Sequence, residues 1–278
     1  MGFSWEHVDV SSKRGQHRHD LPDEPIPSEP AASSGEQPPG YPFEWEADVV
    51  LSDGSVARLR PIKPSDAGRI RVFHAGQSEE SIYLRFFAPL RELSDRDVLR
   101  FTVVDYDERV ALVALLQDQI IGIGRYDKLN DTTAEVAFNV SDSFQGKGIG
   151  SILLEHLALV GLDGGVTRFV AEVLPQNRRM INVFKEAGYN VKHRLEDGVI
   201  SLSFDISPTA TSTAVRYARE HRSEAISVGG ILTPRSVAVV GASRREYSIG
   251  HTFLKNLVDG GFAGQVYAVN PNAKRVMG

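Results

Sequence analysis

A glycine-rich turn carries the strongest signal in this 278-residue sequence, Val140-Ser-Asp-Ser-Phe-Gln145-Gly146-Lys147-Gly148-Ile149-Gly150. It follows a run with strand alternation, Thr133–Val140, and it leads into apolar residues at helical spacing in Gly148–Leu162. The alternate glycines remove side chains where a backbone must approach a ligand closely. The first turn of the helix leaves unpaired N–H groups and a partial positive charge. Together these features predict a site for an anion such as a pyrophosphate.

Other nucleotide-binding motifs fit this turn less well. A P-loop needs Ser or Thr after its Gly-Lys pair, whereas Gly148 follows Lys147 here. A dinucleotide fingerprint belongs in the first strand-to-helix turn of its domain. Here the turn comes late, after several strands that look antiparallel. A helix start softened by glycines, with no ligand, is the remaining alternative, and the agreement of strand, turn and helix favours the pyrophosphate site over it.

The surrounding pattern predicts an α+β, or mixed α/β, domain over residues 41–206. Asp53-Gly54 is typical of a tight hairpin turn between its first two strands. The predicted strands are Ala47–Leu51, Ser55–Arg60, Arg109–Leu116, Gln119–Tyr126, Thr133–Val140, Arg168–Val173, Tyr189–Arg194 and Val199–Phe204. The predicted helices are Pro64–Ala75, Ser78–Phe87, Ser94–Thr102, Gly148–Leu162 and Asn177–Ala187.

The two ends of the chain have different patterns. Residues 1–40 are rich in proline and serine, which predicts a disordered tail. Residues 207–235 are predicted to be a linker with a helical segment at Ala214–Ile226. Residues 236–278 predict one Rossmann-like βαβ unit, from Ser236–Val240, Ile249–Gly260 and Gln265–Asn270. A lone βαβ unit leaves its sheet uncovered, so we expect the sequence to be a fragment of a longer polypeptide.

Composition excludes several classes of function. The formal net charge is −5, which argues against general binding to nucleic acid or to a membrane surface. There is no cysteine, so disulfides, thiolate metal sites and a cysteine nucleophile are excluded. His74, His156 and His193 stand singly, and no metal site is expected. No apolar run approaches membrane-spanning length and the N-terminus lacks a signal-peptide core, so we expect a cytoplasmic protein.

The motif Gln-x-x-Gly-x-Gly between a strand and a helix resembles the CoA-binding motif of the GCN5-related N-acetyltransferases (GNAT), over residues 45–206. The resemblance implies a mixed, mostly antiparallel sheet flanked by helices, with acetyl-CoA as cosubstrate and no metal. It further implies that the strands Thr133–Val140 and Arg168–Val173 separate around the thioester. The main chain from Phe138 to Val140 would pair with the pantetheine arm. The CoA pyrophosphate would lie on the backbone amides of Gln145, Gly146, Lys147, Gly148, Ile149 and Gly150.

Two glutamates are candidates for the catalytic base. An acceptor lysine has a reference pKa of about 10.4, so a nearby base is useful. Many relatives have a glutamate five residues before the position of Val140, and Glu135 stands there. Strand alternation places it on the face opposite the apolar residues. An ordinary solvent-facing glutamate is the alternative. Glu172 on the neighbouring strand is the rival, able to orient the acceptor or to pair with a surface cation.

A second family motif, Leu-Pro-x-Asn-x-x-x-x-x-x-Phe, runs from Leu174 to Phe184. Its Asn177 would hydrogen-bond the pantetheine, although Asn also caps helices. Many relatives have tyrosine at the position of Phe184, where the hydroxyl protonates the departing thiolate. Phe184 has no proton to donate, so water or the solvated thiolate must serve. Tyr189 is a weaker substitute that also fits a core position.

The C-terminal run Pro234–Ser243, with the turn Gly241-Ala242-Ser243, is similar to the CoA-binding domain of NDP-forming acyl-CoA synthetases. Its pairing with an acetyltransferase domain resembles the bacterial Pat-type protein lysine acetyltransferases. That resemblance implies direct transfer, in a ternary complex, to a lysine of a protein such as an AMP-forming acyl-CoA synthetase, with a regulatory role for the synthetase-like region. Two alternatives stay open: a small-molecule amine N-acetyltransferase and a non-catalytic acyl-CoA sensor.

Overall fold

The structure is a computed structural model that describes residues 38–272 and 276. Its strands are β1 (Ala47–Val50), β2 (Val56–Pro61), β3 (Arg109–Leu116), β4 (Gln119–Asn130), β5 (Thr133–Val140), β6 (Arg168–Val173), β7 (Lys192–Glu196), β8 (Val199–Asp205), β9 (Ser236–Val240) and β10 (Gln265–Val269). Its α-helices are α1 (Ala67–Ala75), α2 (Glu79–Phe86), α3 (Asp95–Thr102), α4 (Ile149–Asp163), α5 (Arg178–Glu186), α6 (Ala210–Leu232) and α7 (Ile249–Asp259). The predicted tail, residues 1–40, lies outside the described residues except for 38–40.

Eight strands form one mixed sheet in the order β1-β2-β3-β4-β5-β6-β8-β7. Every neighbouring pair is antiparallel except β5 and β6, which are parallel. β5 and β6 pair at only three positions, from Thr133 with Arg168 to Glu135 with Val170. Beyond Glu135 the two strands separate. The predicted mostly antiparallel sheet and its opening between these two strands are therefore confirmed.

Helices cover both faces of this sheet because its strands alternate in polarity. Ala134, Val136 and Phe138 of β5 are buried in the core that contains α4. Glycines in β4 allow α4 to approach, since a Cβ at Gly122 would come within 2.6 Å of the Ile149 side chain. The opposite face packs against α1, α2 and α3. That second face carries Glu135, Ala137 and Asn139, which are half-buried, as strand alternation predicts.

Several element boundaries differ from the sequence prediction, and the largest differences among the strands are at β4 and β7. β4 continues to Asn130 rather than ending at Tyr126, because it pairs with β5 as far as Thr133. β7 begins at Lys192 rather than Tyr189. Tyr189 instead stacks on Phe204, with ring centroids 5.4 Å apart. The sequence pattern thus located these elements, but tertiary contacts set their ends.

The predicted linker, residues 207–235, is mostly the single helix α6, which is longer than the predicted Ala214–Ile226. The helix α6 begins at Ala210, before the predicted segment, because Thr209 and Ser212 form a capping box there. The helix packs on the eight-stranded sheet domain, because it contacts β1 and its Arg219 forms an ion pair with Glu155 of α4. None of the helices in the described part of the chain is long and apolar enough to cross a membrane.

The C-terminal strands β9 and β10 are parallel and are joined by α7, so the predicted βαβ unit is confirmed. They form a two-stranded sheet of their own. Val239, Ala242 and Leu254 make its small core. Large apolar side chains on this unit are exposed, among them Val240 at 81% and Ile249 at 85%.

Candidate active site

An open cleft begins where β5 and β6 separate. Its walls come from β5, β6, α2, α5 and the turn that leads into α4. The predicted site residues that line it are Glu135, Phe138, Val140, Gln145, Gly146, Gly148, Ile149, Gly150 and Asn177. The rival glutamate, Glu172, also lines it. One cleft therefore brings together nearly all the residues selected from the sequence.

The turn before α4 places its backbone amides at the cleft. Gly146 and Gly148 have φ angles of +79° and +82°, the left-handed region that favours glycine. A Cβ built on either would have no atom within 4 Å, so the space beside the turn is open. Gly148 caps α4 without any side-chain hydrogen bond to the first-turn N–H groups. Those N–H groups and the helix dipole therefore remain available to an anion.

The third glycine has a different structural reason. A Cβ at Gly150 would lie 3.2 Å from Val183 of α5, so glycine here lets α4 and α5 approach each other. Gly150 is buried, whereas Gly146 is exposed. Gly150 therefore has a role in helix packing, and because it also lines the cleft, its part in binding a ligand stays a prediction.

Lys147 is the one residue of the predicted turn whose position does not line the cleft. Its ammonium group pairs with Asp53 in the β1–β2 turn at 2.9 Å and lies over the Phe144 ring. Its carbonyl oxygen accepts a hydrogen bond from the Ser52 N–H. Hydrogen bonds from Ser55 and Lys147 lower the pKa of Asp53 to about 2. The Lys147 side chain therefore fastens the turn to the sheet edge.

Asp142 is a site residue that the sequence analysis did not select. It accepts hydrogen bonds from the Ser78 N–H at 2.6 Å and from the Ser81 hydroxyl, at the start of α2. Partial desolvation would raise the pKa of Asp142, but the hydrogen bonds from Ser81 and Ser78 lower it on balance. The only sequence signal for Asp142 was its position, as an acidic residue between the end of a strand and the glycines. Its partners, more than 60 residues earlier in the chain, gave none.

Gln145 connects the same turn to other elements through its side chain. Its amide nitrogen donates to Asp142 at 3.0 Å, and its oxygen accepts from Arg179 of α5. A longer contact joins it to the Ser81 hydroxyl at 3.3 Å. The side chain of Gln145 thus holds the turn between α2 and α5, while its backbone borders the cleft.

The edge of β5 that faces β6 has no strand partner in the described structure beyond Glu135. Phe138 and Val140 lie on this free stretch. The Phe138 side chain points into the core, 5.8 Å from the Phe184 ring between centroids, so its backbone is what borders the cleft. A free strand edge offers N–H and C=O groups to an extended ligand that contains amides.

In the second predicted motif, Asn177 caps a helix and Phe184 packs in the core. Asn177 caps α5, because its side-chain oxygen accepts from the Met180 N–H at 3.1 Å. Phe184 is buried between Phe138 and Phe204 and still borders the cleft. Tyr189 is half-buried against Phe204, and its desolvation raises the pKa of the phenol. It is absent from the cleft wall, which leaves it a core residue.

Glu135 and Glu172 stand on the same face of the sheet, on the two strands that separate. Glu135 is half-buried at the last paired position of β5, whereas Glu172 is exposed. Glu135 also lies near Arg85 of α2, whose guanidinium borders the cleft as well. Arg85 is a second residue that the sequence analysis missed, because α2 contacts β5 only in the folded chain.

Two of the three single histidines, His74 and His156, have structural contacts. His74 is buried and hydrogen-bonds the Leu90 carbonyl at 2.8 Å, and His156 hydrogen-bonds the Ile152 carbonyl at 2.8 Å. Burial lowers the pKa of His156. Among the described residues there is no group of three or more histidines and carboxylates that could hold a metal ion.

Comparison with known proteins agrees with this geometry. The acetyltransferase (GNAT) family profile matches residues 77–189, and a CoA binding domain profile matches residues 235–278. The crystal structure of the GNAT domain of S. lividans PAT is 49% identical in sequence, with a TM-score of 0.57. That match covers 59% of this chain and 99% of that domain.

Two curated proteins are similar to separate parts of the chain. Acetyltransferase Pat of Mycolicibacterium smegmatis is 34% identical over 168 residues, which cover 59% of this chain and 50% of the relative. The ADP-forming acetate–CoA ligase I of Archaeoglobus fulgidus is 49% identical over 45 residues, 16% of this chain and 6% of the ligase. This chain thus spans about half of the first relative and a small fraction of the second.

The fold, the amide-rich turn at the opening of the sheet, and near-complete coverage of a solved GNAT domain lead to one assignment. The chain belongs to the GNAT acetyltransferase family, and a CoA binding domain follows its GNAT domain.

Proposed function

We propose that this chain is a protein lysine Nε-acetyltransferase that uses acetyl-CoA. One observation carries the proposal. The anion-binding turn at Gln145–Gly150 and the half-buried Glu135 border the same cleft, at opposite ends of the free edge of β5. A diphosphate-bearing thioester that extends along this edge would have its reactive end near a carboxylate.

The residues present fit CoA. The open space beside Gly146 and Gly148 admits phosphate oxygens, and the uncapped first turn of α4 supplies N–H donors. The backbone of Phe138 and Val140 would pair with the amides of the pantetheine arm. Asn177 would add a polar contact from α5, beside the hydrogen bond with which it caps that helix.

The proposed chemistry is direct transfer in a ternary complex. The acceptor amine forms a C–N bond with the thioester carbonyl carbon, Glu135 accepts the amine proton, and the C–S bond breaks. A backbone amide near Val140 would stabilise the charge that develops on the carbonyl oxygen. Phe184 cannot protonate the leaving sulfur. A thiol has a reference pKa of about 8.5, so the thiolate can depart and take a proton from water.

The proposed acceptor is a lysine of an AMP-forming acyl-CoA synthetase, which acetylation would inactivate. Support comes from the similarity to the relatives named Pat, and from the CoA binding domain attached to the GNAT domain. We further propose that this attached domain is regulatory and that the protein works in the cytoplasm. Glu135 is preferred to Glu172 as base because it is half-buried at the point where the strands separate.

The test is incubation of the chain with acetyl-CoA and an AMP-forming acetyl-CoA synthetase, followed by mass spectrometry. We expect one acetylated lysine and a loss of synthetase activity. Spermidine, free amino acids and aminoglycosides are assayed in parallel. Faster acetylation of a small amine, with the synthetase unmodified, would indicate a small-molecule acetyltransferase. Tight acetyl-CoA binding with no acetylated product would indicate a sensor.

A further inference from the structure

Arg125 of β4 is a buried cation with an incomplete set of hydrogen bonds. Its residue exposure is 4%, and its Nε donates to Asp127 at 3.3 Å. Its Nη2 is buried and has no hydrogen-bond partner among the described residues. Buried polar groups are nearly always hydrogen-bonded in folded proteins, so this nitrogen calls for a ligand.

A cavity adjoins this unpaired nitrogen. Its volume is about 40 Å³, which suits a few water molecules or one carboxylate group. It lies between the sheet and helices α1, α2 and α3, and most of its wall is apolar. The polar lining consists of Arg85, Arg125, His74 and Asn139.

The charged side chains that line the cavity, within the described residues, are those of Arg85 and Arg125. No Asp or Glu lines it within the described residues. Burial, and then the neighbouring charge of Arg125, lower the pKa of Arg85 to about 10, against the opposite effect of Glu135 and Asp127. Both guanidinium groups remain protonated at neutral pH. The nearest carboxylate partner, Asp127, is shared, because Arg109 also donates to it at 3.1 Å.

The cavity shares part of its wall with the cleft of the proposed acetylation site. Arg85, Phe86, Ala137 and Asn139 line both the cavity and the cleft. Ala137 is the register partner of Arg125 and stands two residues beyond Glu135 on the same face of β5. Arg85 thus lies at the boundary between the cleft and the cavity, and Arg125 lies on the cavity side of it.

We propose that this cavity is a carboxylate site, in which the guanidinium group of Arg125 holds one small carboxylate and Arg85 forms part of the wall beside it. A guanidinium presents parallel N–H donors that match the two oxygens of a carboxylate. Two sources would supply this group. One is the far end of a dicarboxylic acyl chain on the thioester, and the other is a free short-chain carboxylate ion.

The first experiment measures the melting temperature of the full chain in sodium acetate against sodium chloride at equal ionic strength. At about five times the dissociation constant, acetate should raise the melting temperature by about 2–4 °C more than chloride does. Arg125→Met should abolish this difference. The matched control, Arg168→Met, removes an exposed arginine on β6 that pairs with Asp205, and should keep it.

A second variant tests the cavity in case Arg125→Met does not fold. Leu93→Phe keeps both arginines and fills part of the cavity with a ring, so it should reduce the acetate response. Neither melting experiment requires catalysis, so they hold or fail independently of the proposed acetyltransferase function.

The thioester source, which does rest on the proposed function, is tested by calorimetry with malonyl-CoA and acetyl-CoA. Arg125→Met should weaken malonyl-CoA binding by about tenfold relative to acetyl-CoA. If Arg125→Met changes the ratio of the malonyl-CoA and acetyl-CoA dissociation constants, the acyl chain is the source of the carboxylate. If Arg125→Met abolishes the rise in melting temperature caused by acetate, the free ion is the source. Two results together would overturn the proposal: acetate shifts the melting temperature no more than chloride does, and the ratio of the malonyl-CoA and acetyl-CoA dissociation constants is the same in the wild type and in Arg125→Met. The cavity would then hold only water.

Discussion

The Asp142 carboxylate accepts a hydrogen bond from the Ser78 N–H at 2.6 Å, and so joins the end of β5 to the N-terminus of α2. A carboxylate is favourable at that end of a helix because of the helix dipole. The same residue accepts from Gln145 of the glycine-rich turn. One side chain therefore connects the proposed CoA turn with the helix that borders the proposed acceptor side of the cleft.

Asp142→Asn should weaken use of the acceptor more than binding of acetyl-CoA. The amide cannot accept at both of its atoms, so the hydrogen bond to Ser78 or Ser81 is lost and α2 is held less firmly. We expect kcat/KM for the protein acceptor to fall by about three- to tenfold, since Asp142 is exposed and water competes for its partners. Steady-state kinetics measures this effect.

Asp131→Asn, at the exposed turn between β4 and β5, is the matched control and should leave kcat/KM unchanged. If Asp142→Asn weakened acetyl-CoA binding and left the acceptor kinetics intact, the connection to α2 would have no role.

The connection through Asp142 should also depend on pH. Its pKa is lowered below the ordinary value of 3.8, so its contribution to stability is complete above pH 3.8 and is lost as the pH falls through the lowered pKa. The difference in melting temperature between the wild type and Asp142→Asn should therefore be constant from pH 8 to pH 5 and vanish in stronger acid. A difference that disappears already near pH 6 would refute the assignment of this effect to Asp142.

Gly148→Ala should damage acetyl-CoA binding through the backbone. Its φ of +82° costs an alanine about 1–2 kcal/mol, and relief of that strain would move the first-turn amides of α4. We expect the dissociation constant for acetyl-CoA, measured by calorimetry, to rise at least about tenfold. Gly165→Ala is the control, because Gly165 also has a positive φ, +84°, but lies just after the C-terminal end of α4. This variant should lose similar stability and keep normal binding of acetyl-CoA. Equal binding losses in both variants would point to general destabilisation.

Helix α6 should stabilise the GNAT domain through one half-buried ion pair. Arg219 donates twice to Glu155 of α4, and their side chains are 20% and 13% exposed. Arg219→Ala should lower the free energy of unfolding, measured in urea, by about 1–3 kcal/mol. Arg216→Ala, which removes a looser pair with Glu220, should change it by less than about 0.5 kcal/mol. Similar losses in the two variants would mean that α6 is not docked through Glu155.

The sheet and the glycine-rich turn could be predicted because their signals are local. Alternation along Thr133–Val140 and the spacing of Gly146 and Gly148 are properties of adjacent residues, and the structure contains both as predicted. The predicted start of α6 was too late, because its capping box joins Thr209 to Ser212 and lacks the Glu or Gln of the usual sequence signature.

The contacts that complete the site could not be predicted, because they join residues distant in sequence. Ser78 and Asp142 are separated by 64 positions, and Gln145 and Arg179 by 34. The unpaired nitrogen of Arg125 has no sequence signature either, since an arginine in a strand is ordinarily solvated. Such contacts depend on how helices pack on the sheet, which alternation and spacing do not specify.

In the proposed reaction, Glu135 removes the proton from an acceptor amine while the turn at Gln145–Gly150 holds acetyl-CoA. The most direct measurement is the acetylation rate of the synthetase by Glu135→Gln at saturating acetyl-CoA, with the dissociation constant for acetyl-CoA measured on the same protein and Glu172→Gln as the matched variant. We predict a rate about 10²–10⁴-fold lower for Glu135→Gln with an unchanged dissociation constant, and a much smaller effect for Glu172→Gln. A near-normal rate for Glu135→Gln would show that Glu135 is not the base.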